Sequence, residues 1–383
     1  MTNAPAPCLP LARWDVYCRV IDNFGDIGVC WRLCQDLASR GHSVRLVADD
    51  ASALAWMSTP EAHPVEVWAW MASEAAALPG PAADVVVEAF GCDPPAAQVA
   101  AWRQAAKPPV WINLEYLSAE PYVERSHGLP SPQFSGPGEG LTKWFFYPGF
   151  TARTGGLLRE PDVLQRQQHF DAPAWWAKMG VPWHAGLRTV SLFCYPQAPL
   201  PVLLAALPAW SEQAPVLLLC TASVDATLLD EALGAQNLAQ RIQVQRLPWL
   251  SQADYDHLLW ACDLNLVRGE DSLVRAQWAG RPFLWQLYAQ DDGAHGPKLD
   301  AFLSHHLAGA EGPSLAALLR QAMRQWNGLA PGLGALALPT ALAWQAHALT
   351  WRARLCQQAD LCTQLVAFAQ QKAEQGAGGR AVA

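Results

Sequence analysis

Short apolar runs alternate with segments of helical periodicity along most of the chain, and this alternation restricts the fold to layered α/β architectures. The opening run, Trp14–Ile21, predicts a strand. Asp22-Asn23-Phe24-Gly25-Asp26-Ile27-Gly28 predicts a turn, and Val29–Ser39 carries helical spacing. Gly41 stops that helix and Ser43–Val47 returns as a strand. The result is a βαβ unit, whose right-handed crossover demands a parallel sheet. Asp84–Phe90 and Pro109–Leu114 predict further buried strands, whereas the Gly/Pro/Ser-rich stretch from Gly128 to Gly156 predicts a long loop carrying an aromatic patch.

A second series follows Val181-Pro182-Trp183-His184-Ala185-Gly186. Its predicted strands are Thr189–Cys194, Pro215–Cys220, Ile242–Arg246, Asp263–Val267 and Pro282–Gln286. Helices Leu200–Ser211, Ala226–Leu238, Ser251–Ala261 and Ser272–Ala279 alternate with them. At 383 residues the chain exceeds one ordinary core, so two Rossmann-like domains are expected. The reading gives residues 1–185 to the first domain and 186–340 to the second. Residues 341–383 form a helical tail free to pack back on the first domain.

A net charge of -8 argues against a partner held chiefly through phosphate contacts, such as duplex nucleic acid. No apolar run reaches the roughly 18 residues of a membrane span, and no signal peptide is evident. Cys18, Cys30, Cys34, Cys194, Cys220 and Cys262 lie inside apolar segments, where cysteine acts as a small hydrophobe. Neither they nor the scattered histidines have metal-ligand spacing, so no metal is expected and a reduced, cytoplasmic setting is.

Two strand-to-helix loops concentrate the chemistry. In the first, Asp22 and Asp26 flank a turn at the carboxyl end of the opening strand, where ligands of open α/β sheets bind. Gly25 permits close approach of another molecule, and two carboxylates suit a cationic or hydroxyl-bearing acceptor better than a pyrophosphate. Asp26 serving only as a helix cap fits the spacing equally well. In the second loop, Arg268 offers a fixed cation, Gly269 close backbone approach, and Ser272 a helix start. Together they suit a diphosphate. An acidic helix cap beside a surface arginine accounts for the same residues. Glu270 and Asp271 would face sugar hydroxyls or the acceptor. Tyr195, Trp249 and Gln252 follow other strands of this second series and could hold a pyrimidine, although with 19 tryptophans a lone one is commonly packing. Glu115 follows a strand of the first series and could line the acceptor side.

Four segments in order resemble the EarP-type protein-arginine rhamnosyltransferases: Asp22–Leu33, Asn113–Glu120, Phe145–Phe150, and Leu266–Ser272 continuing through Arg275–Gly280. The resemblance spans about Trp14 to Leu303. It implies a GT-B glycosyltransferase with two Rossmann-like domains facing a central cleft. The donor would be dTDP-β-L-rhamnose, a co-substrate, with no cofactor. The acceptor would be an arginine of elongation factor P. Carried over by motif, Asp22, Asp26 and Glu270 become the essential acids. Arg268, Gly269, Asp271 and Ser272 hold the diphosphate and its neighbours, and Tyr195, Trp249 and Gln252 surround the nucleotide. Asn23, Phe24, Gly25 and Glu115 fall on the acceptor side. Trp249 stands where a phenylalanine is expected, and Phe24 where a tyrosine is commoner.

Alternatives left open are a GT-B transferase with a small-molecule or sugar acceptor, a nicotinamide-dependent oxidoreductase lacking the G-x-G-x-x-G fingerprint, and a non-catalytic binding protein.

Overall fold

In the computed structural model the opening run forms strand β1, Arg13–Cys18, and the helix after it covers Gly25–Ser39. The described residues are 11–21, 24–75, 78–238, 240–289, 293–310, 313–330 and 336–380. The first helix starts one turn earlier than its sequence suggests. The Gly28 amide already donates to the Phe24 carbonyl at 3.0 Å, so the glycines lie inside the first helical turn instead of breaking it.

The chain divides into two units, each with its own sheet. Unit 1 comprises Met1–Ala55, Pro60–Glu160 and Gln358–Ala383. Its later strands are β2 (Ser43–Ala48), β3 (Glu66–Ala69), β4 (Val85–Ala89), β5 (Val110–Leu114), β6 (Pro130–Pro132) and β7 (Thr142–Phe146). They align in the order β3-β2-β1-β4-β5-β7-β6, parallel except for the β6–β7 pair. The segment read as one long loop thus contains an antiparallel hairpin at the sheet edge, and Trp144-Phe145-Phe146 belong to a strand. Tyr17, Val47, Val86, Trp102 and Trp111 pack together in one core cluster. Burying each large apolar side chain of this kind contributes roughly 1.5–3 kcal/mol. The last helix, Leu361–Arg380, docks in this unit. Arg40 of the first helix reaches it through Asp360 and Thr363, both at 2.7 Å.

Unit 2 comprises Trp56–Thr59 and Pro161–Gln357. Its strands are β8 (Arg188–Leu192), β9 (Val216–Cys220), β10 (Ile242–Arg246), β11 (Leu264–Arg268) and β12 (Phe283–Gln286), ordered β10-β9-β8-β11-β12 and all parallel. Residues 161–185 group with this unit because Trp175, Trp176 and Val181 pack on Leu217 and Leu219 of β9. The helix Ala341–Leu355 also stays here, where the Trp351 indole N–H donates to Gln277 at 2.8 Å.

In both sheets the chain order reverses beside the first strand, between β1 and β4 and between β8 and β11. Crevices beyond the carboxyl ends of strands at such reversals are where open α/β sheets receive ligands. All six cysteines read as packing residues are buried. Among the described residues no helix is long and apolar enough to cross a membrane.

Candidate functional site

Asp26 follows β1 at the reversal of the first sheet. It sits in the first turn of the helix Gly25–Ser39 and is 3% exposed. Its carboxylate does not cap that helix: the N-cap residue is Phe24, which makes no side-chain cap bond. Instead one oxygen accepts from the Ile21 amide at 2.8 Å and the other from the Tyr116 hydroxyl at 3.2 Å. The carboxylate therefore ties the loop after β1 to the loop after β5. Phe24 is partly exposed beside it, and Gly25 opens the helix. Asp22 and Asn23 lie outside the described residues.

Glu115 follows β5 and is half-buried. Burial holds its carboxyl above the usual value, opposed by a 2.8 Å hydrogen bond from Asn113. The Asn113 side-chain oxygen in turn accepts from the Gly91 amide at 3.1 Å, joining the ends of β4 and β5. Tyr147, from the Phe145–Phe150 motif, has its phenol pushed up to about 12, by burial first and then by Glu115. It meets Tyr122 edge-on, ring centroids 5.8 Å apart.

In unit 2, Arg268 is the last residue of β11, and the helix Gly269–Ala279 begins directly after it. That start is three residues earlier than the expected Ser272. The first-turn amides are consequently those of Gly269 to Ser272, and Arg268 provides no side-chain cap for them. Gly269 has φ +69, in the left-handed region that favours glycine. The Arg268 guanidinium donates to the Cys194 carbonyl at 2.9 Å and lies 4.5 Å from the centroid of Tyr195. Tyr195 is buried, its amide held by Gln286 at 2.8 Å, and the Trp285 indole binds the Gly269 carbonyl at 2.9 Å.

Ser272 is buried, and its hydroxyl donates back to the Arg268 carbonyl. Glu270 and Asp271 are half-buried in the first turn. Trp249 is 49% exposed after β10, and Gln252 opens the helix Gln252–Ala261, capped by Ser251.

Tyr195, Arg268 and Gly269 thus come together at the reversal of the second sheet, as Asp26 and the β5 loop do at that of the first. Sequence reasoning places Tyr116 only within a stretch that could line the acceptor side or start a helix, and assigns no role to Phe90. Phe90 follows β4 with φ +58, and its ring stacks on Tyr116 at 4.3 Å. The one sequence sign of the pair is an aromatic beside glycine at a predicted strand end.

A family model described as Elongation-Factor P (EF-P) rhamnosyltransferase EarP matches residues 14–370. The protein-arginine rhamnosyltransferase of Pseudomonas putida is 45% identical over 93% of this chain and 98% of its own length. That of Pseudomonas aeruginosa is 43% identical over 94% and 99%. A solved structure described as "Structural basis for EarP-mediated arginine glycosylation of translation elongation factor EF-P" superposes with a TM-score of 0.61 at 32% identity. The match covers 94% of this chain and 99% of that one. The calicheamicin glycosyltransferase CalG4 shares the fold alone, with a TM-score of 0.50 at 14% identity over 95% and 99% of the two chains.

Proposed function

The chain belongs to the EarP family of protein-arginine rhamnosyltransferases and has the family's GT-B fold, and from that premise we propose that it moves rhamnose from dTDP-β-L-rhamnose to an arginine of elongation factor P, inverting the anomeric centre. The observation that carries the reading is the position of the two motif loops. Asp26 and Arg268 each stand at the chain reversal of their own sheet.

An arginine side chain is a poor nucleophile because its cation holds the lone pair in resonance. In the proposed step Asp26 hydrogen-bonds one guanidinium nitrogen and takes its proton as that nitrogen attacks the anomeric carbon. The new C–N bond forms as the C–O bond to the diphosphate breaks on the opposite face. Asp22 and Glu270 steer the guanidinium or the sugar, while Asn23, Phe24, Gly25 and Glu115 receive the acceptor.

The departing diphosphate carries its charge onto Arg268 and the amides from Gly269 to Ser272, which is why the step calls for no divalent metal. Tyr195, Trp249 and Gln252 enclose the nucleotide, and Asp271 lies beside the sugar. Ser272 contributes its amide, since its hydroxyl is engaged with the Arg268 carbonyl. Both substrates place the reaction in the cytoplasm.

Intact-mass analysis of purified elongation factor P, incubated with this chain and dTDP-β-L-rhamnose, tests the reading. A gain of one deoxyhexose on arginine is expected. An unmodified factor, with donor consumed on a small molecule or sugar instead, would assign a different acceptor.

A further inference from the structure

Resting on that reading, we propose that Tyr116 is a positioning residue for the transfer: its hydroxyl, braced by the ring of Phe90, fixes the Asp26 carboxylate for the incoming guanidinium. The two donors to Asp26 act on different oxygens, the Ile21 amide at 2.8 Å and the Tyr116 hydroxyl at 3.2 Å. Rotation of the carboxylate is opposed at both ends. With the phenol removed, the carboxylate loses the bond that ties it to the loop after β5. A misplacement of about an ångström at a reacting group is enough to slow a reaction strongly.

The phenol is itself held from below. Its ring lies nearly parallel to that of Phe90, centroids 4.3 Å apart and planes 10° from each other. Phe90 adopts φ +58, a left-handed backbone conformation that residues other than glycine rarely take. Its amide donates to the Leu114 carbonyl at 2.7 Å, and the next amide, of Gly91, donates to Asn113 at 3.1 Å. Strained backbone persists only where its surroundings over-determine it, and such places cluster at working sites. The strain here places a flat surface at the end of β4 that sets the height of Tyr116 after β5.

Tyr116 also differs from a core aromatic. It keeps 37% of its surface exposed while its hydroxyl reaches a carboxylate that is 3% exposed. If the bond were only a stitch between two loops, its loss would lower stability and leave turnover intact. A positioning role predicts the reverse.

The test compares wild type, Tyr116→Phe, Phe90→Leu and Phe90→Tyr in steady-state transfer to elongation factor P. Both substrates are varied, with thermal melting and dTDP binding measured alongside. Tyr116→Phe should lower kcat about tenfold while both KM values and dTDP affinity stay within about twofold of wild type, the size expected for one hydrogen bond to a charged group. Phe90→Leu should lower kcat in the same way, and Phe90→Tyr, which keeps a flat ring, should recover most of it. Unchanged kcat, a loss confined to acceptor KM, or a lowered melting temperature with kcat intact would each overturn the inference. Absence of transfer by wild type would instead overturn the functional reading, and this inference with it.

Discussion

Arg268 sits over the ring of Tyr195, its guanidinium carbon 4.5 Å from the ring centroid, while one nitrogen is anchored on the Cys194 carbonyl. Phe193 contributes a second ring at 4.4 Å. The two rings and the carbonyl together hold the guanidinium in place, so the remaining N–H groups have a defined direction. A diphosphate recognised in this way should need the planar fork and not merely the charge. Arg268→Ala should weaken dTDP binding by about 10- to 100-fold, and Arg268→Lys should recover only part of the loss. Calorimetry on the full chain gives both numbers, and an unchanged affinity in Arg268→Ala would put the diphosphate elsewhere.

Asp26→Asn nearly preserves shape, since the amide oxygen can still accept from Ile21 or from Tyr116. What it loses is the ability to take a proton. Transfer should fall by roughly 10²- to 10⁴-fold, the usual worth of a general base. Affinity for dTDP should stay near wild type, because the donor-binding residues belong to the other unit. Normal turnover by this variant would remove Asp26 from the base role.

Four strands of the first sheet, β1, β2, β4 and β5, and all five of the second were legible because consecutive apolar residues, with turn residues on either side, suffice to mark a buried parallel strand. The Ile242–Arg246 strand falls on β10 without adjustment. Helix starts were less legible: Gly25 and Gly269 look like breakers in sequence, yet each opens a helix. β7 was hidden because Thr142–Phe145 are only half-buried and show no alternation, and its antiparallel partner β6 both starts and ends on proline. Assignment of 161–185 depends on Trp175 and Trp176 meeting β9, some 40 residues on, which no local pattern encodes. The same applies to the site. The two motif loops could be singled out from residue chemistry, but the Tyr116–Asp26 bond spans 90 positions and Phe90 is unremarkable until its backbone angle is seen.

The helix that follows Arg268, Gly269–Ala279, is held by a buried ion pair. Arg275 donates to both oxygens of Asp256, at 2.9 and 2.6 Å, and the two side chains are 1% and 2% exposed. Removing one partner strands a charge in the core, which costs about 3–5 kcal/mol, whereas replacing both by apolar residues of similar size can be neutral. Asp256→Ala should therefore lower the melting temperature sharply and weaken dTDP binding. The double variant Asp256→Leu with Arg275→Met should recover most of the stability. Denaturant and thermal melts of the three proteins decide the matter, and a double variant no better than the single would show that packing around the pair, not its charge, is what counts.

His306 is the last residue of the helix His295–His306 and is 1% exposed, with neither ring nitrogen hydrogen-bonded. Its ring stacks on Phe302 at 5.2 Å and meets His347 edge-on at 4.8 Å. Burial first, then the neighbouring His347 and Arg354, hold His306 well below the ordinary histidine value, and burial likewise lowers His347. The unfolded chain gains a proton at each of these histidines as pH falls through about 6.5, while the folded chain does not. Stability is therefore complete above that pH and drops below it, by up to about 1.4 kcal/mol per pH unit for each histidine until its folded value is reached. His306→Phe keeps the aromatic packing and removes one titrating group along with two unsatisfied polar atoms. The variant should melt higher than wild type at pH 7.5, and the gap should widen as pH is lowered from 6.5 to 5. Melting curves that run parallel across this range would show that His306 takes up its proton in the folded state as readily as in the unfolded one.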